Sequence, residues 1–309
     1  MENYLGSGSL QALQDQDITF IDLRLDYAFK LVFGKKGNED LLLKLVDSIL
    51  PERHITNVIL NNPEQEGLRP TSRNAVFDIS CQTSDGEEII IEMQYKSQDD
   101  FNQRMVFYSS FPIQNNTPKG KIKDGVQLNY SFPPVYMIAI TNFIIPRVKK
   151  NPDLINEYII SNKKDITQVL TDTVTYVTVE LPKFTKQLED LQTTGDLLLY
   201  AIKNIGSLKE MPEEYIGSGL EKLFELCRFA SMMTAEQRQY LAEYMAKLDE
   251  GSRLASAWNH GVEEGEAKGR EEGRAEAAME YAKKLKKLGV KDDIIFQATG
   301  IGEDQLASL

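Results

Sequence analysis

The segment Asn74–Lys96 reads "NAVFDISCQTSDGEEIIIEMQYK". It has the look of two β-strands joined near Asp85-Gly86, yet Asp78, Glu92, Gln94 and Lys96 interrupt runs that a core would fill with apolar side chains. Successive strand side chains point to opposite faces. Ala75, Phe77, Ile79 and Cys81 then share one face of the first strand, and Val76, Asp78, Ser80 and Gln82 the other. In the second strand Ile89, Ile91, Met93 and Tyr95 oppose Ile90, Glu92, Gln94 and Lys96.

For the two polar faces to coincide, the connecting loop must have the right parity. A two-residue loop at Asp85-Gly86 sets Asp78 opposite Met93, on the wrong face. A three-residue loop, or a single bulge, sets it opposite Gln94. A one-residue slip inverts every side chain, so the apolar pattern selects the odd loop, with glycine in a left-handed conformation. Asp78, Glu92 and Gln94 then converge across two neighbouring strands. Two carboxylates that close repel unless a cation lies between them. Oxygen donors without His or Cys favour magnesium, or manganese. Such an ion holds phosphate oxygens and acidifies bound water. The same pattern also describes the solvated outer face of an edge hairpin, and spacing alone leaves both readings open.

Outward from the hairpin, "DLRLDYAFKLVFG" from Asp22 carries Leu25, Phe29, Val32 and Phe33 at helical spacing. A second helix follows, with Asn38 as candidate cap, Leu41, Leu42, Leu45, Val46 and Ile49 as its apolar face, and Pro51 as its stop. Ile55–Leu60 is strand-like. Beyond the hairpin, Phe101, Met105, Phe107, Tyr108 and Phe111 predict a helix, with Ser97 as candidate cap. Residues 114–131 look loop-rich. "PPVYMIAITNF" (Pro133–Phe143) predicts a buried strand, and "TVTYVTVELPKF" (Thr173–Phe184) another.

After Gln187 the periodicity is helical only, over residues 188–247, which predicts a helical region over 186–255. The stretch 256–309 is compositionally distinct, a charged Gly/Glu-rich helical tail with Gly261, Gly265, Gly269 and Gly273 four apart. Each glycine weakens a helix by about 1 kcal/mol. The tail is either an exposed charged helix or a helix–helix contact within or between chains, which makes a homo-oligomer through the C-terminal helices an expectation to test. It ends in a terminal helical hairpin around Gly300–Gly302 that resembles a small helix-turn-helix.

Composition narrows the classes. A net charge of −12 argues against loose, sequence-blind wrapping of nucleic acid. Two cysteines, Cys81 and Cys227, in apolar contexts point to buried thiols and a reducing cytoplasm. Two histidines far apart in sequence, His54 and His260, speak against zinc and against Ser-His or Cys-His chemistry. No signal peptide is read at the start, and no apolar run approaches the ~18 residues of a membrane span.

Taken together, "DLRLDYAFKLVFG", "VFDIS" with "IEMQYK", "RMVFYSS", "PVYMIAITNF" and "ELPKF" resemble the PD-(D/E)xK nuclease family transposases, also called recombination-promoting nucleases, over roughly residues 20–185. The resemblance implies an α/β, restriction-endonuclease-like core over residues 1–185: a mixed four-stranded sheet flanked by helices, followed by a helical C-terminal region (186–255) and the tail. It implies Mg²⁺-dependent hydrolysis of DNA. On the family motif, Asp78 and Glu92 match the metal-binding acids and Met93 would offer its backbone carbonyl. Asp26 on the first helix is a further candidate ligand. The chain departs from the motif at Gln94, where the family has lysine; glutamine can orient a water but supplies no charge. Lys96, two residues on, is a candidate source of that charge, and Arg104 and Tyr108 could touch phosphate or simply pack their helix. The departure leaves an alternative open: a catalytically weakened nuclease fold acting as a DNA-binding or protein-interaction module.

Overall fold

In a computed structural model, which describes residues 18–65, 74–116 and 132–307, two helices lead into the sheet. Helix α1 (Asp26–Phe33) buries Ala28, Phe29, Val32 and Phe33. Helix α2 (Glu39–Ile49) buries Leu41, Leu42, Leu45, Val46 and Ile49, the face its periodicity predicts. Asn38 does not cap α2 with its side chain. Its amide donates instead to the Val32 carbonyl (2.8 Å), closing the end of α1. Pro51 opens the 3₁₀ turn that follows α2.

The strands come next: β1 (Val58–Leu60), β2 (Glu64–Gln65), β3 (Ala75–Val76), β4 (Ile79–Thr83) and β5 (Glu88–Gln94). Helix α3 (Phe101–Asn116) precedes β6 (Val135–Thr141), β7 (Ile155–Ser161) and β8 (Val169–Glu180). Helix α3 starts after Ser97, with the Phe101 N–H bonded to the Gln98 carbonyl. It carries residues 114–116 of the expected loop, and residues 117–131 lie outside the described residues. The main sheet runs β1-β4-β5-β6-β8-β7, and β2 and β3 form a separate ribbon.

The fold is thus the expected mixed α/β sheet flanked by helices, with six strands where four were expected. The central four are β4, β5, β6 and β8, with β5, β6 and β8 parallel and β4 antiparallel to β5. Strands β1 and β7 add the edges. Strand β7 has no sequence signature of burial because most of its side chains are at least partly exposed. Every residue of β5 and β6 is buried, as befits parallel strands covered on both faces.

The hairpin turns through Ser84-Asp85-Gly86. Thr83 N–H bonds Glu87 O (2.9 Å), Gly86 N–H bonds Thr83 O (3.0 Å), and Gly86 sits at φ +86°. The loop is of the odd kind the apolar pattern requires. Two details differ. Pairing runs Ile79↔Ile91 to Gln82↔Glu88, which continues to place Asp78 level with Glu92 rather than Gln94. That two-residue offset keeps every side chain on its predicted face. Further, Ala75–Thr83 is not one strand. Strand β3 pairs with β2, Phe77 N–H bonds Pro63 O (3.0 Å), and the chain bends at Asp78 before β4 begins.

After β8 come α4 (Thr194–Asn204), closed by a Thr193/Asp196 capping box, α5 (Glu221–Cys227) and α6 (Thr234–Lys287). One compact unit runs to Tyr244 and a second from Met245. The helices up to Tyr244 lie in the same compact unit as the sheet. Ile21 N–H bonds Cys227 O (2.9 Å), and Asp22 N–H bonds the Tyr240 hydroxyl (3.0 Å). Gly206 makes this possible: a Cβ there would lie 2.8 Å from the Cβ of Asp22. In the second unit, α7 (Asp292–Thr299) and α8 (Glu303–Ala307) form the terminal hairpin, with a small core of Ala282, Ile295, Ile301 and Leu306. Among the described residues nothing apart from the helix's own backbone packs against Gly261, Gly265, Gly269 or Gly273. Among the described residues no helix is long and apolar enough to cross a membrane, and Cys81 and Cys227 are buried free thiols.

Candidate metal centre

The bend at Asp78 and the end of β5 bring two acids together. Asp78 Oδ2 accepts the Met93 N–H (2.7 Å), and Glu92 Oε1 accepts the Asp78 N–H (3.2 Å). Each carboxylate thus caps a backbone donor beside the other. Asp78 is 7% exposed and Glu92 4%, so a solvated edge face does not describe them. Strand β5 lies between β4 and β6, and the Glu92 face is covered by α3. Glu92 is level with Ala139 of β6, and Ala139 packs with Phe101 and Met105 of α3.

Two helices supply the positive charge. Lys30, on α1, places Nζ 2.9 Å from Asp78 Oδ1. Arg104, on α3, holds Nη2 3.9 Å from Glu92 Oε2, with its guanidinium over the Tyr108 ring (5.5 Å) and Nη1 on Gln98 Oε1 (2.5 Å). The Gln94 amide lies 3.5 Å from Glu92 Oε2. A narrow cleft is lined by the polar side chains of Glu92, Gln94, Arg104 and Tyr108 together with Phe101, Met105 and Met137. Strand β5 ends at Gln94. Lys96 sits half-buried in the bend beyond it, so strand alternation no longer sets its direction.

The acids are short of compensation. Burial raises the Asp78 carboxyl above its ordinary range, against the pull of Lys30. Glu92 stands well above its ordinary range, first through burial and then through the charge of Asp78. Asp26, one helical turn before Lys30, is pushed up to about 7 by desolvation, then by Asp78 and by Glu243 of α6. Glu243 accepts the N–H groups of Asp26 and Tyr27 (both 3.0 Å), which suits an acid at a helix N-terminus. A divalent cation would relieve this crowding of negative charge.

The donor set fits a hard cation. Two carboxylates lie side by side, with Lys30 on one Asp78 oxygen, and the N–H and C=O of one strand residue face the same edge, which puts the Met93 carbonyl on the side of Asp78. Among the described residues no three His, Cys, Asp or Glu side chains gather closely enough to form a ligand group by themselves. Asp26 is coupled to the pair through the charge of Asp78. Two carboxylates, one carbonyl and water suit magnesium, which keeps much of its hydration shell.

Reading the sequence placed Asp78, Glu92 and Gln94 in one neighbourhood and left out Lys30 and Glu243. The i, i+4 spacing of Asp26 and Lys30 put both on one face of α1. Nothing local to "DYAFK" said that this face meets the bend at Asp78.

Compared with known proteins, residues 23–257 match the family model described as PD-(D/E)XK nuclease family transposase. Neither a curated protein nor a solved structure matches. The family match extends past the sheet through the helical region. The chain belongs to the PD-(D/E)XK nuclease family transposases.

Proposed function

We propose that this member of the PD-(D/E)XK nuclease family transposases is a cytoplasmic, Mg²⁺-dependent DNA endonuclease, able to use Mn²⁺, that serves recombination or mobile elements. The observation that carries the reading is the pairing of Asp78 and Glu92, two buried acids with raised proton affinity at the end of adjoining strands.

Asp78, Glu92 and the Met93 carbonyl would hold the ion, with Asp26 adding negative charge from α1. Bound there, Mg²⁺ supplies an acidified water and charge neutralisation at phosphate. The protein's own contributions are positional. Gln94, 3.5 Å from Glu92, is placed to orient the attacking water by hydrogen bonding but cannot protonate or charge it. Arg104 offers a guanidinium at the cleft and Tyr108 fixes its plane, an arrangement suited to a phosphate oxygen. In-line hydrolysis would form the bond from the water oxygen to phosphorus as the bond to the leaving alkoxide breaks, the water losing one proton to solvent and the alkoxide gaining one. Plasmid nicking with Mg²⁺ or Mn²⁺ tests the reading. Asp78→Ala and Glu92→Ala should abolish it, and equal cleavage by all three proteins rejects the assignment.

A second reading has its own support. Gln94 removes the motif's lysine, and Lys30 stands on the Asp78 oxygen. A nuclease fold kept as a DNA-binding or protein-interaction module would look the same. Calorimetry that finds no Mg²⁺ or Mn²⁺ binding at millimolar concentration, with DNA binding intact, selects it. For the tail, Leu254, Trp258 and Val262 are exposed beside Gly261 and Gly265 on α6. This stripe supports self-association, and light scattering of the full chain against Trp258→Glu should show the larger species lost.

A further inference from the structure

We propose that Lys30 is a resident counter-ion on Asp78 that an incoming divalent cation must displace, and that the displaced ammonium then contacts substrate phosphate, supplying the charge Gln94 lacks. The inference rests on the nuclease reading and adds a residue to it.

Three observations carry it. Lys30 Nζ lies 2.9 Å from Asp78 Oδ1. The other carboxylate oxygen is held by the Met93 N–H at 2.7 Å, so Oδ1 is the better placed oxygen for a cation, and Lys30 occupies it. The Lys30 side chain is 37% exposed. It reaches in from α1 while partly open to solvent, and a flexible four-carbon stem can withdraw without unpacking the core.

Lys183 shows what a fixed lysine looks like here. It is 7% exposed, 2.6 Å from Glu180, and clamped a second time by the Asp153 carbonyl at 3.0 Å. Lys30 is built to move where Lys183 is not. Once off Oδ1, its ammonium is still tethered to the same turn of α1, on the lip of the acid pair. A phosphate bridging the cation would lie within its reach.

The test uses the full chain, with Mn²⁺ as the titrant in calorimetry and a supercoiled plasmid as substrate. Wild type is compared with Lys30→Met, Lys30→Arg and Asp78→Asn. Loss of competition should tighten Mn²⁺ binding by Lys30→Met about tenfold. At saturating Mn²⁺ the same variant should nick about a hundredfold more slowly, with Lys30→Arg recovering part of that loss. Mn²⁺ binding by Lys30→Met that is unchanged or weaker overturns the counter-ion role, because a merely structural lysine would not oppose the ion. Turnover equal to wild type at saturating Mn²⁺ overturns the phosphate role. Should Lys30→Met unfold, Lys30→Arg still decides. Arginine keeps a cation on Asp78, so this variant should bind Mn²⁺ no more tightly than wild type while sustaining part of the nicking; tighter Mn²⁺ binding counts against the counter-ion role, and complete loss of nicking with Mn²⁺ bound counts against the phosphate role. Failure of every protein to bind Mn²⁺ overturns the metal reading itself, whereas binding by wild type and not by Asp78→Asn keeps that reading whatever Lys30 does.

Discussion

Glu92 and Glu180 are both buried acids at the ends of strands flanking β6, and they differ in what surrounds them. Gln94, Thr141 and Glu180 are level across β5, β6 and β8, so Glu92 lies only two residues below that line. Glu180 is fully buried and has Lys183 at 2.6 Å and the Ile145 N–H at 2.8 Å. Glu92 is 4% exposed, and its contacts are 3.2 Å to the Asp78 N–H, 3.5 Å to Gln94 and 3.9 Å to Arg104. Asp78, beside it, takes the one close lysine of the pair. Burial is therefore not what marks a site. A buried acid with its own dedicated cation is part of the framework. Two buried acids that share too little positive charge crowd like charges together, and the proposed ion site rests on that difference.

The widest separation between the two should appear in cleavage. Glu92→Gln is expected to lower plasmid nicking about a thousandfold or more, equivalent to about 4 kcal/mol of barrier, while Glu180→Gln retains nicking in whatever fraction stays folded. Similar losses of specific activity in both would erase the distinction. Urea unfolding should reverse the order. Glu180→Gln leaves the buried Lys183 ammonium without a counter-charge, held by the Asp153 carbonyl alone, and should cost about 3–5 kcal/mol. Glu92→Gln without divalent ions should change stability by no more than about 1 kcal/mol, because it removes a charge that burial already disfavours.

The acid cluster should also show in the pH dependence of stability without metal. A carboxyl whose proton affinity is raised by folding binds more protons folded than unfolded, so stability falls as pH rises through that interval. For Asp26 the interval runs from its ordinary 3.8 to about 7. Asp26→Asn should flatten the slope there. Asp26 is exposed on α1, so solvent screening limits the gain to roughly 1 kcal/mol at most. A slope unchanged from wild type would remove Asp26 from the cluster. The smallest effect concerns the turn that sets the register of Glu92 against Asp78. Gly86 is at φ +86° with open space where a Cβ would go, so Gly86→Ala strains only the backbone. It should cost about 1 kcal/mol in thermal unfolding, with the remote Glu180–Lys183 pair unaffected.

Much of this was readable along the chain. The alternation in Ile89–Gln94 and the apolar run at Val135–Thr141 identified the central strands, since both patterns follow from burial on known faces. The parity of the hairpin followed from the same pattern, and Gly86 was the residue that could make the turn. The register offset was not readable. Moving two residues preserves every face, so apolar patterning has no preference between Asp78 beside Gln94 and Asp78 beside Glu92. Strand β7 left little trace because its side chains are largely at the surface. The bend that splits β3 from β4 depends on pairing with β2 and on Pro63, contacts between distant segments.

The sequence by itself determined which residues alternate, which helices are amphipathic, and that two acids belong to one hairpin, because these are matters of period and turn chemistry. Only the tertiary structure decided that the hairpin is central rather than at an edge, that α1 delivers Lys30 to Asp78, and that Glu243 closes the start of α1. Those outcomes depend on how separate segments pack, and packing joins residues more than two hundred positions apart, such as Asp26 and Glu243, for which no local pattern carries information.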